Sequence, residues 1–272
     1  MPFIEGYIKL KEKAESLITS VKKAEILSQE KETPLPYAYP CDNYIDTILS
    51  NTLVRKSLHQ FSDKYCKEQI HNIKATSQLI TPSSHPGLCD VLHSCSTSLN
   101  VQECPQTYIT GSLQGINALS IGTDTEPIIL VSRKAAISLP EEELKFIIGH
   151  ELGHILQKNL MCHTAKGLLD NFNNKNEALG AIVAGIIDIP LNKWYRCSEF
   201  TADRAGLICC GNIETIKKLF NKIFERKSRT GFHQFTEIYK NHPHIESRLA
   251  NICEFAQSHI YKKIISEKQN TI

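Results

Sequence analysis

Pro140-Glu141-Glu142-Glu143-Leu144-Lys145-Phe146-Ile147-Ile148-Gly149-His150-Glu151-Leu152-Gly153-His154-Ile155-Leu156-Gln157 is the stretch on which the reading of this chain turns. A proline followed by three acids suits the first turn of a helix, where N–H groups lack partners and the macrodipole is positive. Leu144, Ile147, Ile148, Leu152, Ile155 and Leu156 recur at helical spacing, which predicts a largely buried helix over 141–157. His150 and His154 lie one turn apart on one face, so both imidazoles can address a single metal ion. The plain alternative is a pair of surface histidines on an amphipathic helix. It fits poorly, because a buried helix seldom keeps two histidines without a partner. Glu151 follows the first histidine, where its carboxylate can take a proton from a zinc-activated water and pass it on.

A hydrolytic zinc site uses three protein ligands and keeps one position open. Positions 157 and 160 are Gln and Leu, so no third histidine continues along the helix. His163 follows outside any pattern and is expected in solvent near the helix end. Glu177 has Ala181, not a carboxylate, one helical turn on. Glu199 is the better candidate, in the run Arg196-Cys197-Ser198-Glu199-Phe200-Thr201-Ala202-Asp203. Glu199 and Asp203 share a helix face, so one carboxylate can bind metal while the other accepts the spare N–H of a ligand imidazole. Two solvated acids are the bland reading of such a pair. Ala202, Ala205, Gly206 and Leu207 point instead to close packing.

The helix over 141–157, the Arg-x-x-Glu-x-x-x-Asp run over 196–203, and Asn241-His242-Pro243 followed by Arg248 resemble family forty-eight of the metallopeptidases. That group holds the HtpX-type heat-shock proteases and the CAAX prenyl endopeptidases. Upstream, Pro105-Gln106-Thr107-Tyr108-Ile109, Asn117-Ala118-Leu119 and Ile128-Ile129-Leu130-Val131-Ser132 resemble the strands that precede the family's metal helix, so the likeness covers roughly residues 85–252. It implies an α+β fold: a predominantly helical zincin of the gluzincin type, with a small mixed sheet before the metal helix. It implies one zinc ion per chain on His150, His154 and Glu199, with Glu151 as general base and Asp203 anchoring a ligand from behind. By the same resemblance His242 is a proton donor or oxyanion stabiliser, and Arg248 braces Glu199 or the substrate. His242 and His244 around Pro243 read equally as a polar start to a helix. Asn117, Ala118 and Leu119 are implied to form an edge strand that pairs with an extended polypeptide through main-chain hydrogen bonds. Leu119 stands where the family usually carries a bulky aromatic, which bears on the side-chain pocket and not on backbone pairing.

The implied activity is zinc-dependent endoproteolysis of extended or unfolded polypeptides. A non-catalytic, chaperone-like module holding peptides in the same cleft is the alternative, and a membrane-associated prenyl-protein protease is a third.

Composition narrows the field. The 272 residues are enough for a full core, and 41% hydrophobic with 22% charged residues is ordinary for a soluble globular protein. A net charge of +2 provides no electrostatic footprint for nucleic acid. Ten cysteines are scattered without a Cys-x-x-Cys pair, which speaks against a zinc ribbon or a redox motif. Free thiols in a reducing, cytoplasmic setting are the expectation, as no basic-then-apolar leader opens the sequence. The apolar run Ala178–Ile187, closed by Asp188 and Pro190, falls short of the roughly 20 residues that span a bilayer. A buried helix is expected there, with an interfacial hairpin in peripheral membrane contact as the alternative.

Along the chain, residues 3–31 read as a charged amphipathic helix, 33–40 as a proline-broken linker and 43–80 as one or two helices. The Pro- and Ser-rich break over 81–87 is the expected domain edge. It divides an N-terminal helical extension, 1–80, from a zinc metallopeptidase domain, 81–272. The extension is read as packing support, with a lid over the cleft as the sharper alternative. A helix over 87–99, short strands turned at Gly111, Gly115 and Gly122, and closing helices over 212–227 and 244–262 complete the reading.

Overall fold

The computed structural model describes residues 35–40, 67–123, 125–158, 160, 163–164, 195–229 and 245–269. The helix expected over 3–31, most of 43–80, the apolar run 178–187, Glu177 and His242 lie outside the described residues.

The described chain is mostly helical with one small mixed sheet. Helix α1 (Lys67–Ala75) and strand β1 (Gln78–Leu79) lead into α2 (Pro86–Ser98). Strands β2 (Gln106–Thr110), β3 (Ala118–Gly122) and β4 (Pro127–Ser132) follow, then α3 (Arg133–Ser138) and α4 (Glu141–Leu156). Residues 195–210 form α5, and α6 (Ile213–Arg229), α7 (Ile245–Gln257) and α8 (His259–Gln269) close the fold. Strand order is β1-β2-β4-β3: β4 runs parallel to β2, and β1 and β3 are antiparallel to their neighbours.

Strand β4 is a near-continuous apolar run because both its faces are covered. Ile129 and Val131 point into the main core with Val91, Leu92 and Cys95 of α2 and Leu144, Ile148 and Leu152 of α4. Ile128 and Leu130, one residue out of phase, join Tyr108 and Ile121 on the opposite face, where Ile70 and Ile73 of α1 pack. Residues on both sides of position 81 therefore share one sheet. Residues 35–40, expected as a linker, are docked: Tyr37 is buried in the main core. Arg204 of α5 donates to the carbonyls of Tyr37 and Ala38, and Tyr39 N donates to Thr201 Oγ1. A turn closed by Ala38 N donating to Leu35 O shapes the segment, and a guanidinium on a neighbouring helix satisfies two of its carbonyls.

Helix α4 begins where the acids and proline placed it. Lys145 spans Glu141 and Glu142 on the exposed side, while Glu143 is buried and pairs with Lys222 of α6. The stretch expected as a single helix over 244–262 is two. The chain breaks at Ser258, whose Oγ accepts from Tyr261 N and caps α8, which runs on to Gln269. Apolar spacing continues across the break, so periodicity alone did not disclose it. Cys89, Cys95, Cys104, Cys209, Cys210 and Cys253 carry free thiols, but Cys197 is disulfide-bonded, against the expectation of thiols throughout. Which sulfurs come within bonding range is a matter of tertiary distance, not spacing. Among the described residues, no helix is long and apolar enough to cross a membrane.

Candidate metal centre

Helices α4 and α5 cross at contact distance because small residues line both. A Cβ added at Gly153 would stand 2.8 Å from Ala202 Cα and 2.9 Å from Ala205 Cβ. One added at Gly149 would stand 2.7 Å from Cys209 Sγ. This near-backbone approach lets a side chain as short as glutamate on α5 reach imidazoles on α4.

His150 Nε2 and His154 Nε2 lie 3.1 Å apart. Glu199, fully buried, places Oε2 3.6 Å from the first and Oε1 3.3 Å from the second. Ligand atoms about 2.0–2.1 Å from a tetrahedral zinc would be about 3.3 Å from one another, so the three sit at metal-site spacing. Among the described residues this is the cluster of histidine and carboxylate groups that could hold a metal ion.

Asp203, one turn beyond Glu199 and fully buried, lies behind His150, with Oδ1 3.1 Å from Nδ1. Arg248 of α7 clamps that carboxylate with two bonds, Nε to Oδ2 at 2.8 Å and Nη2 to Oδ1 at 2.5 Å. Its Nη1 also approaches Glu199 Oε2, at 3.8 Å. Burial pushes the Asp203 carboxyl up, but the Arg248 charge and hydrogen bond and the His150 contact outweigh it and hold it below the ordinary carboxylate range. Asp203 is therefore an acceptor, His150 Nδ1 must donate, and in the neutral ring Nε2 presents its lone pair to the cluster. Burial works against charge on His150, yet the hydrogen bond to Asp203 and the charges of Glu199 and Asp203 raise its pKa above that of a free imidazole. A cation and a proton thus compete for the same nitrogen. Two buried carboxylates against one guanidinium also leave a negative charge when both imidazoles are neutral, which a divalent ion would offset. The donor set fits a zinc-type ion; two imidazoles and a carboxylate would accept other divalent ions too.

Glu151 points to the other side of α4, toward the sheet. Its Oε2 accepts a 2.6 Å hydrogen bond from Ser120 N on β3. Strand β3 is an edge of the sheet. Ser132 N donates to Asn117 O, so Asn117 faces β4 just before β3 begins, and Ser120 and Gly122, odd residues later, turn their amides outward. Thr164 closes the far end of that edge, accepting from Gly122 N and donating to Gly122 O. Ala118 and Leu119 lie on β3, and Asn117 immediately precedes it.

The structure brings His150, His154, Glu199, Asp203 and Arg248 together from three helices, while Glu151, next to His150 on α4, is turned to Ser120 N. His163 is not in open solvent as expected. It is half-buried, its Nε2 2.7 Å from Ser198 Oγ and its ring centroid 4.3 Å from that of His154. Ser120, Ser198 and His163 were missed. A main-chain amide leaves no mark on a sequence, and Ser198 offered only its place beside Glu199.

The profile of Peptidase family M48 matches residues 82–256, more than half of the chain. The chain belongs to peptidase family M48. The match takes in α4, α5 and α7, hence every element that contributes to the cluster. Among curated relatives of this M48 peptidase is the plastoglobule-localized metallopeptidase 48 of Arabidopsis thaliana chloroplasts. It is 26% identical over 149 residues, covering 54% of this chain and 43% of that one. A protease HtpX homolog of Nostoc punctiforme is 30% identical over 112 residues, 41% of this chain and 33% of its own. The chain thus spans less than half the length of either relative. No solved structure matches it.

Proposed function

We propose that this M48 peptidase is a zinc endopeptidase of the gluzincin type that cleaves extended or unfolded polypeptides. The observation that carries the reading is the convergence of His150, His154 and Glu199 at ligand spacing, with Glu151 adjacent to His150 along α4. His150, His154 and Glu199 would hold one zinc ion, Asp203 would fix the His150 tautomer, and Arg248 would keep Asp203 ionised. When bound, zinc lowers the pKa of a coordinated water and polarises the scissile carbonyl. Glu151 takes the proton of the attacking water and returns it to the leaving amine nitrogen. The Ser120 amide aims its carboxylate. The edge formed by Asn117, Ala118 and Leu119 aligns the substrate backbone by strand addition, which constrains side chains weakly. His242 is proposed to stabilise developing charge, on the family resemblance alone.

The test is metal content and turnover of a denatured, fluorescently labelled protein, in the parent, Glu151→Gln and Glu199→Ala. About one zinc per chain in the parent, retained in Glu151→Gln with a turnover loss of about 10²–10⁴-fold, supports the reading. Glu199→Ala should lose the metal. Peptide binding without turnover in zinc-loaded parent would instead support the chaperone-like module. A cytoplasmic location belongs to the same proposal; recovery of the chain in an organelle or membrane fraction would overturn it.

A further inference from the structure

We infer that Ser198 and His163 form a hydrogen-bonded brace that sets the tautomer and aim of His154, as Asp203 and Arg248 do for His150. The inference rests on the metal-peptidase reading above. Ser198 precedes Glu199 on α5 and is buried, with its Oγ 3.4 Å from His154 Nδ1 and 2.7 Å from His163 Nε2. Its carbonyl accepts from Gln157 Nε2 at 3.2 Å, and the same amide donates to Gly153 O at 3.0 Å. Gln157 therefore ties the end of α4, just past His154, to the residue that faces His154. The Tyr195 ring, centroid 5.1 Å from that of His163, packs against the outer histidine.

A hydroxyl has one proton to give and two lone pairs, so this geometry admits a consistent direction. His154 Nδ1–H donates to Ser198 Oγ, and the Ser198 hydroxyl donates to His163 Nε2. Nδ1 then carries the His154 proton, and Nε2 presents its lone pair beside His150 Nε2 and Glu199. The reverse order would put the His154 proton on Nε2, in the middle of the ligand set. A histidine that binds metal through one nitrogen generally has the other held by an acceptor. Here the acceptor is neutral and shared, where His150 has an ionised carboxylate. Ser198 and His163 are positioning residues: neither lies in the ligand set.

The test is zinc affinity of the whole 272-residue chain, by competition with a chelator of known strength, together with the visible absorption of the cobalt-substituted protein. Ser198→Ala and His163→Leu should each weaken zinc about 10–100-fold and shift the cobalt bands, because the ligand field at His154 changes. Ser198→Thr keeps the hydroxyl and His163→Gln keeps an acceptor, so both should stay within a few-fold of the parent with its spectrum. Unchanged affinity and spectrum in Ser198→Ala and His163→Leu would overturn the brace while leaving the peptidase reading intact. Rescue variants as weak as the deletions would overturn it too, by reducing the effect to packing. A parent that takes up no zinc would overturn both. Should Ser198→Ala fail to fold, the His163 pair, which alters a half-buried ring on another segment, decides.

Discussion

The two sides of helix α4 are built differently. The side toward α5 is tight and charged: glycines meet alanines at near-backbone distance, and Glu199, Asp203 and Arg248 bury opposite charges around His150. Toward the sheet, Leu144, Ile148 and Leu152 share an apolar core with Ile129 and Val131, and Glu151 is held by a main-chain bond from Ser120 N. On the proposed function, the difference would separate two tasks. Holding a cation requires a preformed, dehydrated set of donors, because each ligand must be held against its own desolvation cost. Handling a proton requires a carboxylate aimed by a donor that costs nothing to supply, and a strand edge has such donors outward.

Variants on the two sides should therefore fail in different ways. The largest effect is expected for Asp203→Ala. It leaves the Arg248 guanidinium buried without its clamp partner, which should cost about 3–5 kcal/mol in urea denaturation of the metal-free protein and abolish stable zinc uptake. Gly153→Val comes next. Its side chain meets Ala202 backbone, so the helices must part, at about 1–3 kcal/mol, and Glu199 should retreat from the imidazoles. Zinc content and denaturation midpoint should fall together. On the sheet side, Ser120→Pro removes one outward amide from an edge strand, where proline is tolerated. Turnover should drop about 10- to 150-fold with zinc content unchanged, since a hydrogen bond to a charged group contributes about 1.5–3 kcal/mol. Loss of zinc in Ser120→Pro would break the comparison. The smallest effect is expected for Arg248→Lys, which keeps the charge and loses the two-pronged clamp. Zinc affinity should weaken by less than about tenfold, read by chelator competition.

Proton linkage sharpens the same contrast. The His150 pKa is raised in the metal-free protein, so its proton opposes zinc from low pH up to a pH above the ordinary imidazole value. Zinc affinity should rise with pH across that window. Zinc uptake there should release a proton, visible as a buffer-dependent heat of binding. Asp203→Asn should move the window down, since it removes a charge that favours the imidazolium.

Much of this was readable in the sequence, for definite reasons. Helix α4 announced itself through apolar residues at helical spacing and a proline-acid start, and the two histidines followed from a spacing of four. Glu199 and Asp203 stood out because the small residues after them signalled packing, and the observed contacts of Gly149 and Gly153 are that packing. What periodicity could not reach were breaks and dockings set by single polar groups. Ser258 starts a new helix within an unbroken apolar pattern, and residues 35–40 look like a linker until Arg204 takes up their carbonyls.

By itself the sequence determined which side chains could do metal chemistry, because a helical face is fixed by local geometry, and helix α4 has one. The partner of each imidazole was decided only by tertiary structure. Asp203 lies 53 positions from His150, and Ser198 lies 44 from His154. Chain separation carries no record of distance once helices pack. The aim of Glu151 depends on an amide that any residue but proline would supply, so no residue type at position 120 could have disclosed it.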